Sequence, residues 1–160
     1  MNAPLPRAAA DAPVSAGVDR PLPASPPAAV DAAARRQRQS EVVAALSKLL
    51  PRSALLWQDE DTTPYECDGL TAYRERPLVV ALPETDEQVV AVLRTCRRLE
   101  VPVVARGAGT GLSGGAMPHA MGVTLSLARF NRILAVDRRA RIARVQCGVR
   151  NLAISEAAAP

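Results

Sequence analysis

Five of the nine glycines of the chain fall within residues 106–115, Arg-Gly-Ala-Gly-Thr-Gly-Leu-Ser-Gly-Gly, a stretch called the glycine loop below. Because glycine loses the most conformational freedom on folding, such a cluster is costly unless the backbone must adopt positive φ angles or approach a ligand closely. Successive backbone N–H groups can then form a concave site for phosphate oxygens. Arg106 adds a positive charge, and Thr110 and Ser113 add hydroxyl donors. The stretch predicts a pyrophosphate-binding loop, and the alternative is a flexible surface loop.

The sequence around the glycines narrows the kind of phosphate site. Residues 109–114 match the pattern G-x-G-x-x-G, but a Rossmann loop must open a helix, and an acidic residue must follow about 20 residues later. Gly115 and Pro118 interrupt such a helix, and the next apolar run, 123–127, ends without an acid. No Gly-Lys-Ser/Thr follows the glycines, which excludes a kinase-type P-loop. We therefore predict a strand–glycine loop–strand arrangement.

The other residues capable of chemistry show no spacing typical of a metal or disulfide site. Cys67, Cys96 and Cys147 are far apart, and no C-x-x-C pair or histidine-rich spacing accompanies them. We therefore expect no metal and no disulfide framework, and free thiols are typical of a reducing cytosol. His119 follows Pro118 and is expected to face solvent rather than to bind a ligand.

Length and charge limit the function classes. The 160 residues suffice for one domain with a hydrophobic core, and the net charge of +4 arises largely from clustered arginines. No aromatic residues interleave these clusters, so we do not expect nucleic-acid binding. No apolar run approaches the ~18 residues of a membrane span, and the N-terminus lacks the pattern of a signal or transit peptide. We expect a soluble protein without a transmembrane segment.

The elements that must position the glycine loop begin at Pro77. Residues 78–82 read as a short apolar strand, and Thr85 with Gln88 is a capping-box signal for a helix with Cys96 on its apolar side. Residues 101–105 form the next apolar run. Strand, helix and strand predict a βαβ unit with parallel strands and a right-handed crossover. The glycine loop then lies at the carboxyl end of the second strand, where open α/β sheets bind ligands.

The elements after the loop read as a third strand, a hairpin and a helix. Residues 122–127 are the third strand, and 133–136 with 141–146 alternate around a turn at 137–140. Gly148 ends this pattern, and a helix is predicted from Val149 onwards. Because no strand follows Pro160, we expect an open sheet edge.

The N-terminal part divides into two regions. Residues 1–39 are rich in alanine and proline and predict a disordered leader. In residues 40–76, Ser40 is expected to cap a helix that runs to Leu50, and 57–70 are expected to form an ordered loop. With residues 77–160 as the domain proper, the chain has three predicted regions.

Three separated segments, 64–73, 101–116 and 148–155, resemble the FAD-binding domain of the vanillyl-alcohol oxidase/p-cresol methylhydroxylase (PCMH) flavoprotein superfamily. Within it, the FAD-binding subunits of bacterial glycolate oxidases, relatives of D-lactate dehydrogenases, are most similar. The resemblance implies an α+β (α/β-like) fold, the N-terminal part of a PCMH-type FAD-binding domain with a βαβ unit and a mixed sheet.

The same resemblance implies which residues contact the cofactor. Pro83 would lie near the adenine end, and Gly148 and Val149 would approach FAD from the later strand–helix turn. Covalent members often carry histidine where Thr110 stands, so non-covalent FAD is implied, and Cys147 replaces an expected proline. The residues implied for the diphosphate are Arg106, Gly107, Ala108, Gly109, Thr110, Gly111, Ser113 and Gly114.

The implied reaction is oxidation of a small D-2-hydroxy acid, such as glycolate or D-lactate, to the 2-oxo acid, with the flavin performing the chemistry. Implied partners are further glycolate oxidase subunits, including an iron–sulfur subunit, and the implied location is cytoplasmic, with association at the inner membrane through those partners. Members of the family continue well beyond the length of this chain. The catalytic residues are therefore unknown, and we expect a truncated N-terminal piece of limited stability. The alternative is a non-catalytic fragment that binds FAD or another nucleotide.

Overall fold

The computed structural model describes residues 31–159. These residues form a mixed α+β arrangement, as the sequence predicts. Two 3₁₀ turns lie at Arg52–Ala54 and Thr63–Tyr65. The helices and strands, in chain order, are α1 (Ala32–Leu46), β1 (Leu55–Leu56), α2 (Asp59–Thr62), β2 (Val79–Ala81), α3 (Asp86–Arg98), β3 (Val103–Arg106), β4 (Val123–Ser126), β5 (Ile133–Asp137), β6 (Ile142–Val145) and α4 (Asn151–Ala158).

The main sheet has four strands in the order β1-β2-β4-β3. Strand β4 runs parallel to both β2 and β3, whereas β1 is antiparallel to β2. The predicted βαβ unit is thus present with parallel strands, but β4 lies between its two strands. All residues of β2 and β4 are buried, which is typical of parallel strands that are covered on both faces.

Helix α3 covers one face of this sheet and begins where the capping box predicts. Thr85 Oγ1 accepts a hydrogen bond from the Gln88 N–H at 3.3 Å, and Gln88 Oε1 accepts one from the Glu84 N–H at 2.7 Å. The two side chains thus satisfy backbone donors that the first turn leaves free. Val92 and Cys96 lie in the core, which confirms the buried position predicted for the cysteine.

The predicted hairpin is present as a separate sheet. Strands β5 and β6 pair antiparallel, with an irregularity between Ile133 and Ala135. The chain then enters α4 at Asn151, two residues after the predicted start. The hairpin leaves Leu134 and Ile142 largely exposed, so it is much less buried than the main sheet.

The predictions for residues 32–39 and for the first helix boundaries are wrong. Helix α1 begins at Ala32, where Asp31 Oδ1 accepts from the Ala33 N–H at 3.0 Å, and Ser40 lies inside the helix. Side chains of the helix hold it to the main sheet: Arg35 donates to the Pro77 carbonyl at 3.0 Å and Gln39 to the Leu78 carbonyl at 2.8 Å. These contacts stabilise a segment that composition alone marks as unfolded. Residues 1–30 of the predicted leader lie outside the described residues.

The stretch predicted as an ordered loop, 57–70, contains α2 and a 3₁₀ turn. Thr62 and Thr63 Oγ1 donate to the carbonyls of Gln58 and Asp59 at 3.0 and 2.7 Å. Four residues of helix are too few for a periodic pattern, which is why the sequence does not show α2. The turn places Tyr65 beside the glycine loop.

Candidate anion-binding site

A cavity of about 540 Å³ lies at the carboxyl ends of β3 and β4, where the glycine loop leaves the sheet. Four parts of the chain meet there: the 3₁₀ turn, the start of the glycine loop, the segment after β4, and the turn into α4. The lining residues are Pro64, Tyr65, Arg106, Gly107, Ala108, Ser126, Ala128, Asn131, Gly148, Val149, Arg150 and Ala153. Residues that are far apart in sequence thus form one concave surface, and we call it the loop cavity.

The structure brings five of the predicted site residues into the wall of the loop cavity: Arg106, Gly107, Ala108, Gly148 and Val149. The others lie outside that wall. Pro83 is fully buried at the end of β2, so its side chain offers no surface to a ligand within the described part of the chain. The remaining members belong to the part of the loop that continues past the cavity, namely Gly109, Thr110, Gly111, Ser113 and Gly114.

Two glycines of the cavity wall lie where two backbones approach each other. A Cβ on Gly107 would stand 2.9 Å from the Cys147 carbonyl oxygen, and one on Gly148 would stand 3.0 Å from both Ala128 Cα and the Phe130 carbonyl oxygen. The Gly148 N–H also donates to that Phe130 oxygen at 2.9 Å. A side chain at either position would therefore push apart the turn into α4 and the strand ends that it packs against.

Positive φ angles occur at only two positions of the glycine loop, Gly109 (+72°) and Gly114 (+74°). These angles are unfavourable for residues with a Cβ, so glycine is required there for conformation. Gly111 and Gly115 have open space where a Cβ would be. Glycine at these two positions therefore keeps the loop backbone accessible to a ligand and is not required by the backbone conformation.

The backbone N–H groups from Gly107 to Gly115 donate no hydrogen bond to any residue within 31–159. Backbone N–H groups are strong donors, and because most of these residues are exposed, the donors are open to a ligand from solvent. A run of unpaired donors that follows a strand is the arrangement expected of an anion-binding site. This observation supports the interpretation of the loop drawn from the sequence.

Arg106 is fixed at the start of the loop by three neighbours. Its Nη1 donates to the Cys67 carbonyl oxygen at 2.6 Å, and its guanidinium lies over the Tyr65 ring, 5.6 Å from the ring centre. The same side chain packs against Gly109, where a Cβ would overlap it. With Arg150 it makes the wall of the loop cavity positive, and no carboxylate is found among the described residues of that wall.

Ser126 is a polar residue of the wall that the sequence reasoning missed. It is 1% exposed, and its Oγ has no hydrogen-bond partner among the described residues. An unsatisfied buried hydroxyl costs free energy, so this atom needs an explanation. No signal in the sequence marks this serine, because β4 alternates apolar residues with the hydroxyl residues Thr124 and Ser126. Tyr65, Asn131 and Arg150 were also missed, because no spacing in the sequence links them to the glycine loop.

The remaining titratable groups take no part in the loop cavity. Burial raises the pKa of the Cys96 thiol to about 11, and His119 and Cys147 are exposed. Between residues 31 and 159, no three side chains from histidine, cysteine, aspartate and glutamate lie together as a metal site would require. None of the described helices combines the length and hydropathy needed to span a bilayer.

Comparison with known proteins gives a family and a fold. A family model described as "FAD binding domain" matches residues 77–160. The chain is 58% identical over 122 residues to the glycolate oxidase subunit GlcD of Escherichia coli (strain K12), covering 76% of this chain and 24% of that protein. It is 33% identical over 110 residues to the D-lactate dehydrogenase of Anaerostipes hadrus, covering 68% and 23%. The chain thus spans about a quarter of the length of these relatives.

Among solved structures, p-cresol methylhydroxylase with substrate bound superposes with a TM-score of 0.67 at 22% identity. The match covers 76% of this chain and 24% of that one. At this identity the likeness concerns the fold, and it confirms the predicted PCMH-type α+β architecture.

Proposed function

Because the chain belongs to the FAD binding domain family, we propose that the glycine loop and the loop cavity bind the diphosphate of FAD. The observation that carries the proposal is the run of unpaired N–H groups from Gly107 to Gly115, which begins beside the fixed guanidinium of Arg106. An anion at the loop would accept hydrogen bonds from several of these donors, and hydrogen bonds to a charged acceptor are strong. The residues present therefore fit the group that the family implies.

Each part of the wall has a role in this proposal. The Ser126 hydroxyl donates to a phosphate oxygen, which explains its lack of a partner within the described chain. The N-terminal end of α4, with no side-chain cap, presents the positive end of its dipole to the same cavity. Gly107 and Gly148 let the backbones come close enough to share one ligand.

The other predicted contacts remain part of the proposal. Gly109, Thr110, Gly111, Ser113 and Gly114 would bind the diphosphate through the exposed part of the loop, and Val149 would approach from the turn into α4. Buried Pro83 would act near the adenine end by fixing its turn. We further propose that FAD is held non-covalently, since Thr110 carries no group that commonly bonds to a flavin.

For the reaction, we propose oxidation of a small 2-hydroxy acid, such as glycolate or D-lactate, to the 2-oxo acid. The support is that the curated relatives include a glycolate oxidase subunit and a D-lactate dehydrogenase. When bound, the flavin would supply the acceptor for the hydride equivalent from the α-carbon. The described residues bind and orient it, and no histidine or carboxylate lines the loop cavity among them, so we assign no catalytic residue.

That same lining favours a second candidate, which is FAD binding without turnover by this chain. A wall of glycines, arginines and a hydroxyl can hold an anion, but it contains no general base near neutral pH. Under this alternative the chain would retain the cofactor and show no oxidation of hydroxy acids.

We propose three further points, which concern the partners, the location and the regions of the chain. The partners would be other subunits of a glycolate oxidase-like assembly, since the curated relatives include a glycolate oxidase subunit. One of these partners would be an iron–sulfur subunit, as the resemblance to the family implies. The location would be cytoplasmic, with attachment at the inner membrane through those subunits. The regions would be a leader, a helix-and-loop region from residue 32 to 76, and the FAD-binding region from 77.

The test is retention of FAD by the purified 160-residue chain after incubation and desalting, followed by its visible absorption spectrum. We expect bound flavin in the unmodified chain and its loss in Gly109→Val, because φ is +72° there and a side chain would overlap Arg106. Gly122→Ala, which strains the backbone near Pro102 at the end of β4 that lies away from the loop cavity, is the control. A folded but colourless unmodified chain would contradict the proposal.

A further inference from the structure

Residues 65–70, which we call the backing segment, lie against the inner side of the glycine loop at three points. Tyr65 lies under the Arg106 guanidinium, the Cys67 carbonyl accepts from Arg106 Nη1, and Gly69 touches the loop backbone. The two stretches are separated by about forty residues in sequence, so the contact is made by the fold and not by local structure. The glycine loop itself contains no helix or strand that could fix its shape beyond Arg106.

Gly69 is the tightest of these contacts. A Cβ at this position would stand 2.7 Å from the Gly111 carbonyl oxygen and 2.8 Å from the Thr110 carbonyl oxygen. Both neighbours are backbone atoms, so neither can move aside as the end of a flexible side chain would. Any side chain at residue 69 must therefore displace the peptide units of the loop.

The direction of these two carbonyls determines where the N–H groups of the loop point. A trans peptide is planar, and its N–H and C=O point to opposite sides. Because the carbonyls of Thr110 and Gly111 face Gly69, the N–H groups of Gly111 and Leu112 face the other side of the loop. That side is open, since Thr110 and Gly111 are exposed and Leu112 is 72% exposed.

The backing segment is itself held rigidly. Asp68 is 4% exposed, and its Oδ1 accepts from the Leu70 N–H at 2.9 Å, which closes a turn around Gly69. At the base of the segment, the Glu66 carbonyl accepts from the Glu75 N–H at 2.8 Å, and the Glu66 carboxylate pairs with Arg74 at 2.6 Å. A rigid support can thus fix a loop that has few bonds of its own.

We propose that Gly69 is a positioning residue of the anion site, which turns the N–H groups of Gly111 and Leu112 toward the diphosphate by supporting the carbonyls behind them. This inference rests on the proposed function and assigns to the 65–70 stretch a role that the sequence did not predict. Pre-orientation lowers the conformational cost of binding, because the loop does not have to find its bound shape for each ligand.

The test compares Gly69→Ala with Gly122→Ala in the full 160-residue chain. A Cβ on Gly122 would also press on a backbone carbonyl, that of Pro102 at 2.9 Å, but at the end of β4 that lies away from the loop cavity. Three quantities are measured. They are the Kd for FAD from flavin fluorescence, the Kd for inorganic pyrophosphate from its competition with FAD, and the urea midpoint of the free protein. We expect Gly69→Ala to raise the Kd for FAD and the Kd for pyrophosphate about tenfold each, which is the effect of losing a hydrogen bond to a charged group. Gly122→Ala should change neither, and both variants should lower the urea midpoint, since each places a Cβ against a backbone carbonyl.

The outcomes separate this inference from the proposed function. No FAD binding by the unmodified chain would overturn both, whereas binding with equal constants in the two variants would overturn the inference alone. If Gly69→Ala fails to fold, Asp68→Asn and Asp68→Ala decide. Asparagine keeps the Oδ1 acceptor for the Leu70 N–H and should retain the FAD Kd, and alanine should raise it. A folded Asp68→Ala that binds FAD as the unmodified chain does would also overturn the inference.

Discussion

At the scale of single residues, three buried side-chain atoms lack a hydrogen-bond partner within residues 31–159, namely Asp68 Oδ2, Thr124 Oγ1 and Ser126 Oγ. Ser126 Oγ and Thr124 Oγ1 are both buried on β4 and both lack a hydrogen-bond partner within residues 31–159, but only Ser126 lines the cavity. The pair therefore offers a comparison between a buried hydroxyl whose residue lines the loop cavity and one whose residue does not.

Replacing Ser126 with alanine should separate binding from stability. The unpaired hydroxyl contributes nothing to the free protein, so the free energy of unfolding should stay the same or rise slightly. The Kd for FAD should increase about tenfold, because a hydrogen bond to a phosphate oxygen is lost. Calorimetric titration with FAD and urea unfolding monitored by Trp57 fluorescence provide the two measurements.

Thr124→Val is the control for that prediction, since it removes the second unpaired hydroxyl at constant shape away from the cavity. It should leave the FAD Kd unchanged. If both variants bind FAD like the unmodified chain, then Ser126 has no contact with the ligand.

The buried thiol of Cys96 should make stability depend on pH in the alkaline range. Burial raises the pKa of this thiol from 9.0 to about 11 in the folded chain. Between these values the unfolded chain loses the thiol proton and the folded chain keeps it, so the free energy of unfolding falls as pH rises from about 9 to 11. Urea unfolding of the unmodified chain and of Cys96→Val at several pH values measures the difference. Parallel pH profiles for the two proteins would show that Cys96 does not contribute.

Residue types predicted the glycine loop but only part of the site around it. The five clustered glycines and Arg106 can be recognised from local composition, because an ordinary loop rarely contains so many residues with the conformational freedom of glycine. Tyr65, Ser126 and Asn131 carry no such signal. They become site residues only because the fold brings three distant stretches to one edge of the sheet.

At the scale of elements, the start of α3 is specified by two side chains. Thr85→Ala removes the acceptor for the Gln88 N–H and should cost about 1 kcal/mol of stability, as is usual for the loss of an N-cap. Thr85→Ser keeps the acceptor and should retain most of it. Urea midpoints of the three proteins check the order, and equal midpoints for serine and alanine would show that the hydroxyl does not cap the helix.

The elements with a strong local signal were predicted well. Helix α3 combines a cap with an apolar side, and the β5–β6 hairpin alternates around a polar turn, so both were placed within about two residues. The N-cap of helix α1 was placed nine residues too late, at Ser40 instead of Asp31, since its first turns are held by Arg35 and Gln39 reaching the carbonyls of Pro77 and Leu78. Contacts between residues about forty positions apart leave no periodic pattern.

At the scale of the whole molecule, the two sheets should differ in local stability. The strands β2 and β4 are buried on both faces, whereas β5 and β6 form a two-stranded sheet with most residues exposed. Two-stranded sheets are marginally stable alone, so backbone amides of the hairpin should exchange with deuterium much faster than those of β4. Hydrogen exchange followed by mass spectrometry measures this, and equal protection of the two sheets would contradict it.

The strand order itself could not be predicted from the sequence. Local patterns identified β2, β3 and β4 as strands, but they contain no information on which strand lies in the middle. Tertiary packing decides that β4 pairs with β3 through all four of its residues and with β2 through three of them.

The glycine loop also forms most of the connection between two neighbouring parallel strands. Strands β3 and β4 are adjacent, and residues 107–122 connect them without a helix, although such connections usually contain one. During synthesis, β2 and β3 leave the ribosome before the strand that joins them, so the sheet can close only after residue 126 has emerged. The proposed diphosphate site then appears in the same event that completes the sheet, and we expect deletion of residues 107–122 to prevent both together.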